Sequence, residues 1–123
     1  MSTALVIEDN EDNIIVITQL LQNAGYQTLN AMTGKDGLEM VHANQPDFIL
    51  LDIQLPDMSG LEVLKKLRAI EEGKNLPVIA VTSYAMIGDA KRLLDAGCNG
   101  YIEKPIDPMR IIAQIEKILD ELK

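Results

Sequence analysis

The sequence predicts an α/β domain, a doubly wound five-stranded parallel sheet built as (βα)5. Three observations point there. Short, continuous apolar runs recur along the chain, each of strand length and apolar at consecutive positions, as in strands buried on both faces. Longer segments of helical period separate them, the alternation of βα units. The length of 123 residues, with 47% hydrophobic side chains, suits one domain covering residues 1–123 with a core of its own. Right-handed crossovers then place helices on both sides of the sheet.

The elements follow in order. Ala4-Leu5-Val6-Ile7 is the first strand, stopping at Glu8-Asp9. Ile14, Ile17, Leu21 and Ala24 recur at helical spacing, with Gly25 as the cap beyond. Glu11 and Asp12 fall in the first turn, where negative charge suits the helix dipole. Gln27 to Ala31 is a weak second strand; Thr33 and Asp36 open a helix with Leu38 and Val41 on its core face. Phe48-Ile49-Leu50-Leu51 is the clearest buried strand and stops at Asp52. Ser59 followed by Glu62 is a capping box before Val63, Leu64 and Leu67. Pro77 to Val81 forms the fourth strand, stopping at Thr82-Ser83. Leu93, Leu94 and Gly97 mark the face and end of the fourth helix. Tyr101-Ile102 is a short fifth strand closed by Lys104-Pro105. Asp107 is read as an N-cap with Pro108 at the first helical position. Ile112, Ile115, Leu119 and Leu122 are the buried stripe of the last helix.

Charge and composition narrow the function classes. Eleven Lys and Arg stand against 19 Asp and Glu, a formal net charge of -8. Such a chain is repelled by nucleic acid and by anionic lipid, so direct contact with either is not expected. A single cysteine, Cys98, excludes an internal disulfide and a cysteine zinc site; it reads as a small buried hydrophobe. The sole histidine, His42, reads as a solvated helix residue without a partner acid. The N-terminus lacks a signal-peptide pattern and no apolar run spans a bilayer, which predicts a cytoplasmic protein.

In a sheet of this kind the ligand crevice lies at the carboxyl ends of the strands. Glu8, Asp9, Asp52, Thr82, Ser83 and Lys104 all fall there or just beyond. Carboxylates brought together raise each other's pKa unless a cation joins them. Hard oxygen ligands suit Mg²⁺, which favours one or two carboxylates together with a phosphate. Polar strand ends are ordinary at a surface, but that alternative explains one or two such residues better than the whole set.

Glu8-Asp9-Asn10, Asp52-Ile53-Gln54-Leu55-Pro56-Asp57-Met58-Ser59-Gly60, Val81-Thr82-Ser83 and Lys104-Pro105 resemble the signatures of bacterial response-regulator receiver domains. The resemblance covers essentially the whole chain and implies strand order 2-1-3-4-5 in a flavodoxin-like fold. It also implies that Asp52 accepts a phosphoryl group from the phosphohistidine of a histidine kinase or histidine phosphotransfer protein. Asp9 and Asp52 would hold Mg²⁺ directly, Glu8 through water, and the Gln54 carbonyl would be a third protein ligand. Lys104 would reach one phosphoryl oxygen and Thr82 another. The resemblance makes Lys104-Pro105 a cis peptide and Tyr101 a switch coupled to Thr82. Leu55 stands where the family often has Met, and Ser83 where it usually has Ala or Gly; Ser83 adds a hydroxyl to the site.

Gln54 lies two residues after Asp52 and Tyr84 two after Thr82, so both are expected to overhang the phosphoryl group and set its lifetime. A downstream signalling protein would read the face of the fourth helix, fifth strand and last helix, with Tyr101, Met86, Ile87, Arg92, Met109 and Arg110. A stand-alone receiver is expected, of the chemotaxis or cell-division-control type, with a receiver excised from a hybrid kinase as the alternative within the class. An enzyme is not expected beyond its own phosphoryl transfer and autodephosphorylation. A haloacid-dehalogenase phosphatase would place an Asp at position 54, where this chain has Gln54. A nucleotide or flavin site would need a glycine-rich phosphate loop that the sequence lacks.

Overall fold

The computed structural model describes residues 2–83 and 87–122, and of residues 87–90 the backbone alone. The chain runs β1 (Thr3–Ile7), α1 (Glu11–Asn23), β2 (Gln27–Ala31), α2 (Gly34–Asn44), β3 (Phe48–Asp52) and α3 (Gly60–Ala69). A 3-10 turn (Glu71–Gly73), β4 (Val78–Thr82), α4 (Ile87–Asp95), β5 (Gly100–Glu103) and α5 (Ile111–Asp120) complete it. All four strand pairings are parallel, and the sheet order is β2-β1-β3-β4-β5.

Alternate residues of each central strand feed opposite layers, the two-residue period of a pleated strand. Leu5, Ile7, Ile49, Leu51, Val78 and Ala80 pack with Val41, Val63, Leu64, Leu67 and Leu93, the layer of α2, α3 and α4. Ala4, Val6, Phe48, Leu50, Ile79, Val81 and Ile102 pack with Ile17, Leu21, Ile111 and Ile115, the layer of α1 and α5. Both faces are thus covered, which is why the strands read as unbroken apolar runs.

Thr33 and Ser59 cap their helices as the sequence signals predict, and Asn10, not read as a cap from the sequence, closes the start of α1. The Asn10 side chain accepts a hydrogen bond from the Asn13 amide, Thr33 from Asp36 and Ser59 from Glu62. Gly25 has φ +98°, a left-handed value that glycine adopts without a Cβ penalty, and ends α1.

Five expectations need correction. Ala24 lies past the end of α1 and is exposed, while Leu94 and Leu122 are 47% and 44% exposed rather than on the core faces. The layer is filled instead by Leu21, one turn before Ala24, by Leu93, the residue before Leu94, and by Ile115, two turns before Leu122. The last helix begins at Ile111, not Pro108. Asp107 accepts from the Met109 amide at 2.9 Å and closes a separate turn ahead of the helix. His42 has a partner acid, Glu72, 2.8 Å from its Nδ1. Cys98 is buried, as expected.

One clamp was not visible in the sequence. Arg68, near the end of α3, donates from Nη1 to the carbonyls of Gly73 (2.6 Å) and Leu76 (2.7 Å). Its Nη2 donates to the Gly97 carbonyl (2.7 Å) and to Asn99 Oδ1 (3.1 Å). That same Asn99 oxygen accepts the Val78 amide at 2.8 Å. A planar five-donor fork thus ties the entry of β4 to the loop between α4 and β5. Arg68→Ala should leave these carbonyls short of donors and lower unfolding stability by about 2–4 kcal/mol. Arg68→Lys should recover only part of it, because one ammonium cannot span the same acceptors. Urea unfolding of the three proteins measures both.

Candidate functional site

The strand register delivers the acidic residues to one edge. Ile7 pairs with Leu51 across β1 and β3, so Glu8 and Asp52 leave the sheet side by side. The Glu8 amide donates to the Ala31 carbonyl at the end of β2 (2.9 Å), which extends the ladder past the strand. Glu8 and Asp52 are buried, Asp9 is exposed, and ligand atoms of all three lie within 4.8 Å of one another.

Two side chains from elsewhere hold this cluster. Lys104 Nζ lies 3.1 Å from Asp52 Oδ1 and 3.7 Å from Glu8 Oε1. Asn13 Nδ2, one turn into α1, donates to Glu8 Oε1 at 2.6 Å. Sequence reasoning had missed Asn13. Its only signal was its place in the first turn of the helix that leaves the acidic strand end. Lys104 follows β5, its amide donates to the Thr82 carbonyl at 2.8 Å, and the Lys104-Pro105 bond is cis. Thr82 is buried at the end of β4 and Ser83 is exposed beside it.

Burial is the main cause that pushes the Glu8 carboxyl from its ordinary 4.5 up to about 7. A hydrogen bond shared with Asp52 and the Asp52 charge push the same way; Asn13 and Lys104 pull it back without cancelling them. Glu8 Oε2 is buried with no hydrogen-bond partner among the described residues. Glu8 is therefore incompletely compensated by its neighbours. The donor set is all carboxylate oxygen, the chemistry that suits a small hard divalent ion.

The remaining predicted residues sort by position. Gln54 is exposed; its amide donates to Asp52 Oδ1 at 3.1 Å, and Gln54 forms an antiparallel bridge with Ser59. A groove of about 600 Å³ opens beside Lys104, lined by Asn13, Val16, Ser83, Pro105 and Pro108 among others. Tyr101 is 37% exposed on β5. Arg92, Met109 and Arg110 are exposed. Tyr84, Met86 and the side chain of Ile87 lie outside the described residues.

The family model described as a response regulator receiver domain matches residues 4–116. The chain belongs to this family. Receiver domains are signalling proteins of two-component systems that work with histidine kinases and downstream effectors. This receiver is 43% identical over 119 residues to the polar-differentiation response regulator DivK of Brucella ovis, covering 97% of each chain. It is 30% identical to the receiver domain of the sensor histidine kinase PA1611 from Pseudomonas aeruginosa PAO1, at TM-score 0.86, covering 97% of this chain and 98% of the other. That structure carries a magnesium ion coordinated in its active-site cleft. The chemotaxis regulator CheY4 of Vibrio cholerae matches at TM-score 0.92 and 24% identity, covering 96% and 98%, a likeness of fold alone. No helix among the described residues is long and apolar enough to cross a membrane.

The raised Glu8 carboxyl makes stability depend on pH. Its folded value, about 7, lies above its ordinary value of 4.5, so the folded state binds the extra proton between them. The Glu8 contribution is present below the ordinary value and lost as pH rises through about 7. Melting temperature of metal-free protein should show this fall from pH 4.5 to about 7 and level off above it, and Glu8→Gln should remove it.

Proposed function

We propose that this receiver is the phosphorylation-activated switch of a two-component or phosphorelay system, with Asp52 as phosphoacceptor. The observation that carries this reading is the buried Asp52 carboxylate beside Glu8 and Asp9, with Lys104 Nζ 3.1 Å away. Asp9, Asp52 and the Gln54 carbonyl would hold Mg²⁺, with Glu8 acting through water. Bound there, the ion would neutralise charge on the phosphoryl oxygens.

The chain's own residues do the rest. An Asp52 carboxylate oxygen forms the bond to phosphorus as the P–N bond of the donor phosphohistidine breaks, and the imidazole leaves with the electron pair and takes a proton. Lys104, already seated on Asp52, reaches a phosphoryl oxygen as a point charge. The Thr82 hydroxyl gives a hydrogen bond to another, and Ser83 borders the approach. Phosphoryl transfer leaves little covalent work to the protein, so this positioning is most of the chemistry. Gln54 would overhang the acyl phosphate and, with Tyr84, set its rate of self-hydrolysis. Tyr101 on β5 would follow Thr82, and the face of α4, β5 and α5 would then bind a downstream signalling protein. A partner must bind the phosphorylated state more tightly, because equal affinities shift nothing.

Similarity to DivK, 43% identical over 97% of that protein, supports a single-domain regulator, and polar differentiation is the process proposed for it. The PA1611 likeness favours the second reading, a receiver belonging to a hybrid kinase. We place the protein in the cytoplasm, where a two-component receiver would meet its phosphodonor.

Incubation with a small phosphodonor and Mg²⁺ should add one base-labile acyl phosphate, seen by mass spectrometry. Asp52→Asn should abolish it; a label that persists in that variant overturns the assignment. Lys104→Ala should still accept phosphate but lose the change in Thr82 and Tyr101 amide shifts that a beryllofluoride mimic induces in wild type.

A further inference from the structure

The loop that leaves β3 is closed at its neck. Gln54 bridges Ser59, and the Gly60 amide donates to the Ile53 carbonyl at 2.8 Å. Its tip rests on α2, an element far from the acidic cluster in sequence. Asp57 Oδ1 accepts the Gly34 amide at 2.8 Å, and Oδ2 accepts the Lys35 amide at 3.0 Å. These donors hold the Asp57 carboxyl below its ordinary range. Beside them the backbone of α2 and the loop are in close approach. A Cβ on Gly34 would fall 2.6 Å from Met58 Cγ and 2.8 Å from Val63 Cγ2. Leu55 and Met58 pack against the core from the same loop.

Asp57 completes the capping of α2 from outside the helix. Thr33 already caps the helix through the Asp36 amide, and the Thr33 carbonyl takes the Gly37 amide. Asp57 takes the two remaining orphan donors of the first turn, and does so from the loop that also places the Gln54 amide on Asp52. The same β2–α2 segment accepts the Glu8 amide at Ala31. Both walls of the acidic cluster are thus tied to one piece of backbone, Ala31 to Lys35.

We infer that Asp57 is a positioning residue: by fixing the 53–59 loop to the N-terminus of α2, it sets Gln54 against Asp52 and shapes the site for Mg²⁺. This rests on the reading of the site proposed above. Asp57 touches neither ion nor phosphate; it acts through the loop. The carboxylate is required as such, because an amide offers one acceptor and turns an N–H toward the second donor.

The test is calorimetric titration of the full chain with magnesium chloride, alongside amide hydrogen exchange of Gln54 in the metal-free protein. Asp57→Ala should weaken magnesium binding about tenfold, the lower end of what outer-shell changes cost at metal sites, and speed Gln54 exchange. Asp57→Asn should do the same to a smaller extent. Thr33→Ala, which removes the cap of the same helix, should lower the melting temperature yet leave affinity and Gln54 exchange as in wild type. Wild-type affinity and exchange in Asp57→Ala overturn the inference, and so does an equal loss in Thr33→Ala, which would assign the effect to helix stability. Absence of a magnesium response in wild type overturns the metal reading instead, while the exchange of Gln54 still decides whether Asp57 positions the loop.

Discussion

The structure is organised around an unfavourable act, the burial of two carboxylates side by side. Glu8 and Asp52 end neighbouring parallel strands and are 3% and 4% exposed. Parallel pairing in register makes this unavoidable once acidic residues sit at both strand ends. Each loses hydration, and each repels the other. Lys104 and Asn13 offset part of the cost, at 3.1 Å and 2.6 Å from their acceptors, and the raised Glu8 carboxyl shows that the offset is incomplete. A site left in that condition favours any arrangement that brings positive charge.

Such a site persists only if the surrounding chain cannot relax away from it. The sheet supplies the first restraint, since β1, β3 and β4 are fully covered on both faces. The loops supply the second. Lys104 is held by its amide on the Thr82 carbonyl, and the 53–59 loop by its neck and by α2. On the opposite edge, Arg68 binds the approach to β4 and the approach to β5 into one unit. Charged and amide groups thus add restraints to loops that the apolar core holds only in part.

Much of this was legible in the chain. Strand identity followed from runs such as Phe48 to Leu51, because a strand covered on both faces must be apolar at every position. The acidic edge followed in turn, since a residue directly after such a run emerges at the carboxyl end of the sheet. Thr33 and Ser59 were readable as caps because their bonds reach only three residues ahead. The failures share a different origin. Leu94 and Leu122 fit a helical stripe by spacing, yet spacing alone does not say where the facing layer ends. The start of α5 depended on whether the Asp107 turn would merge with the helix. His42 met Glu72 across 30 residues of sequence, a separation at which composition carries no information.

The sequence by itself determined the βα alternation, the residues at the strand ends and, through the resemblance, the family. These rest on local patterns, the apolar period of each element and the polar residue that stops it. Only the tertiary structure decided which distant groups meet there: Asn13 on Glu8, Arg68 on the carbonyls of three segments, Asp57 on the first turn of α2. Those contacts depend on the closure of loops between elements that the two core layers bring into register, and a hydrogen bond across such a gap leaves no periodic mark in the chain that makes it.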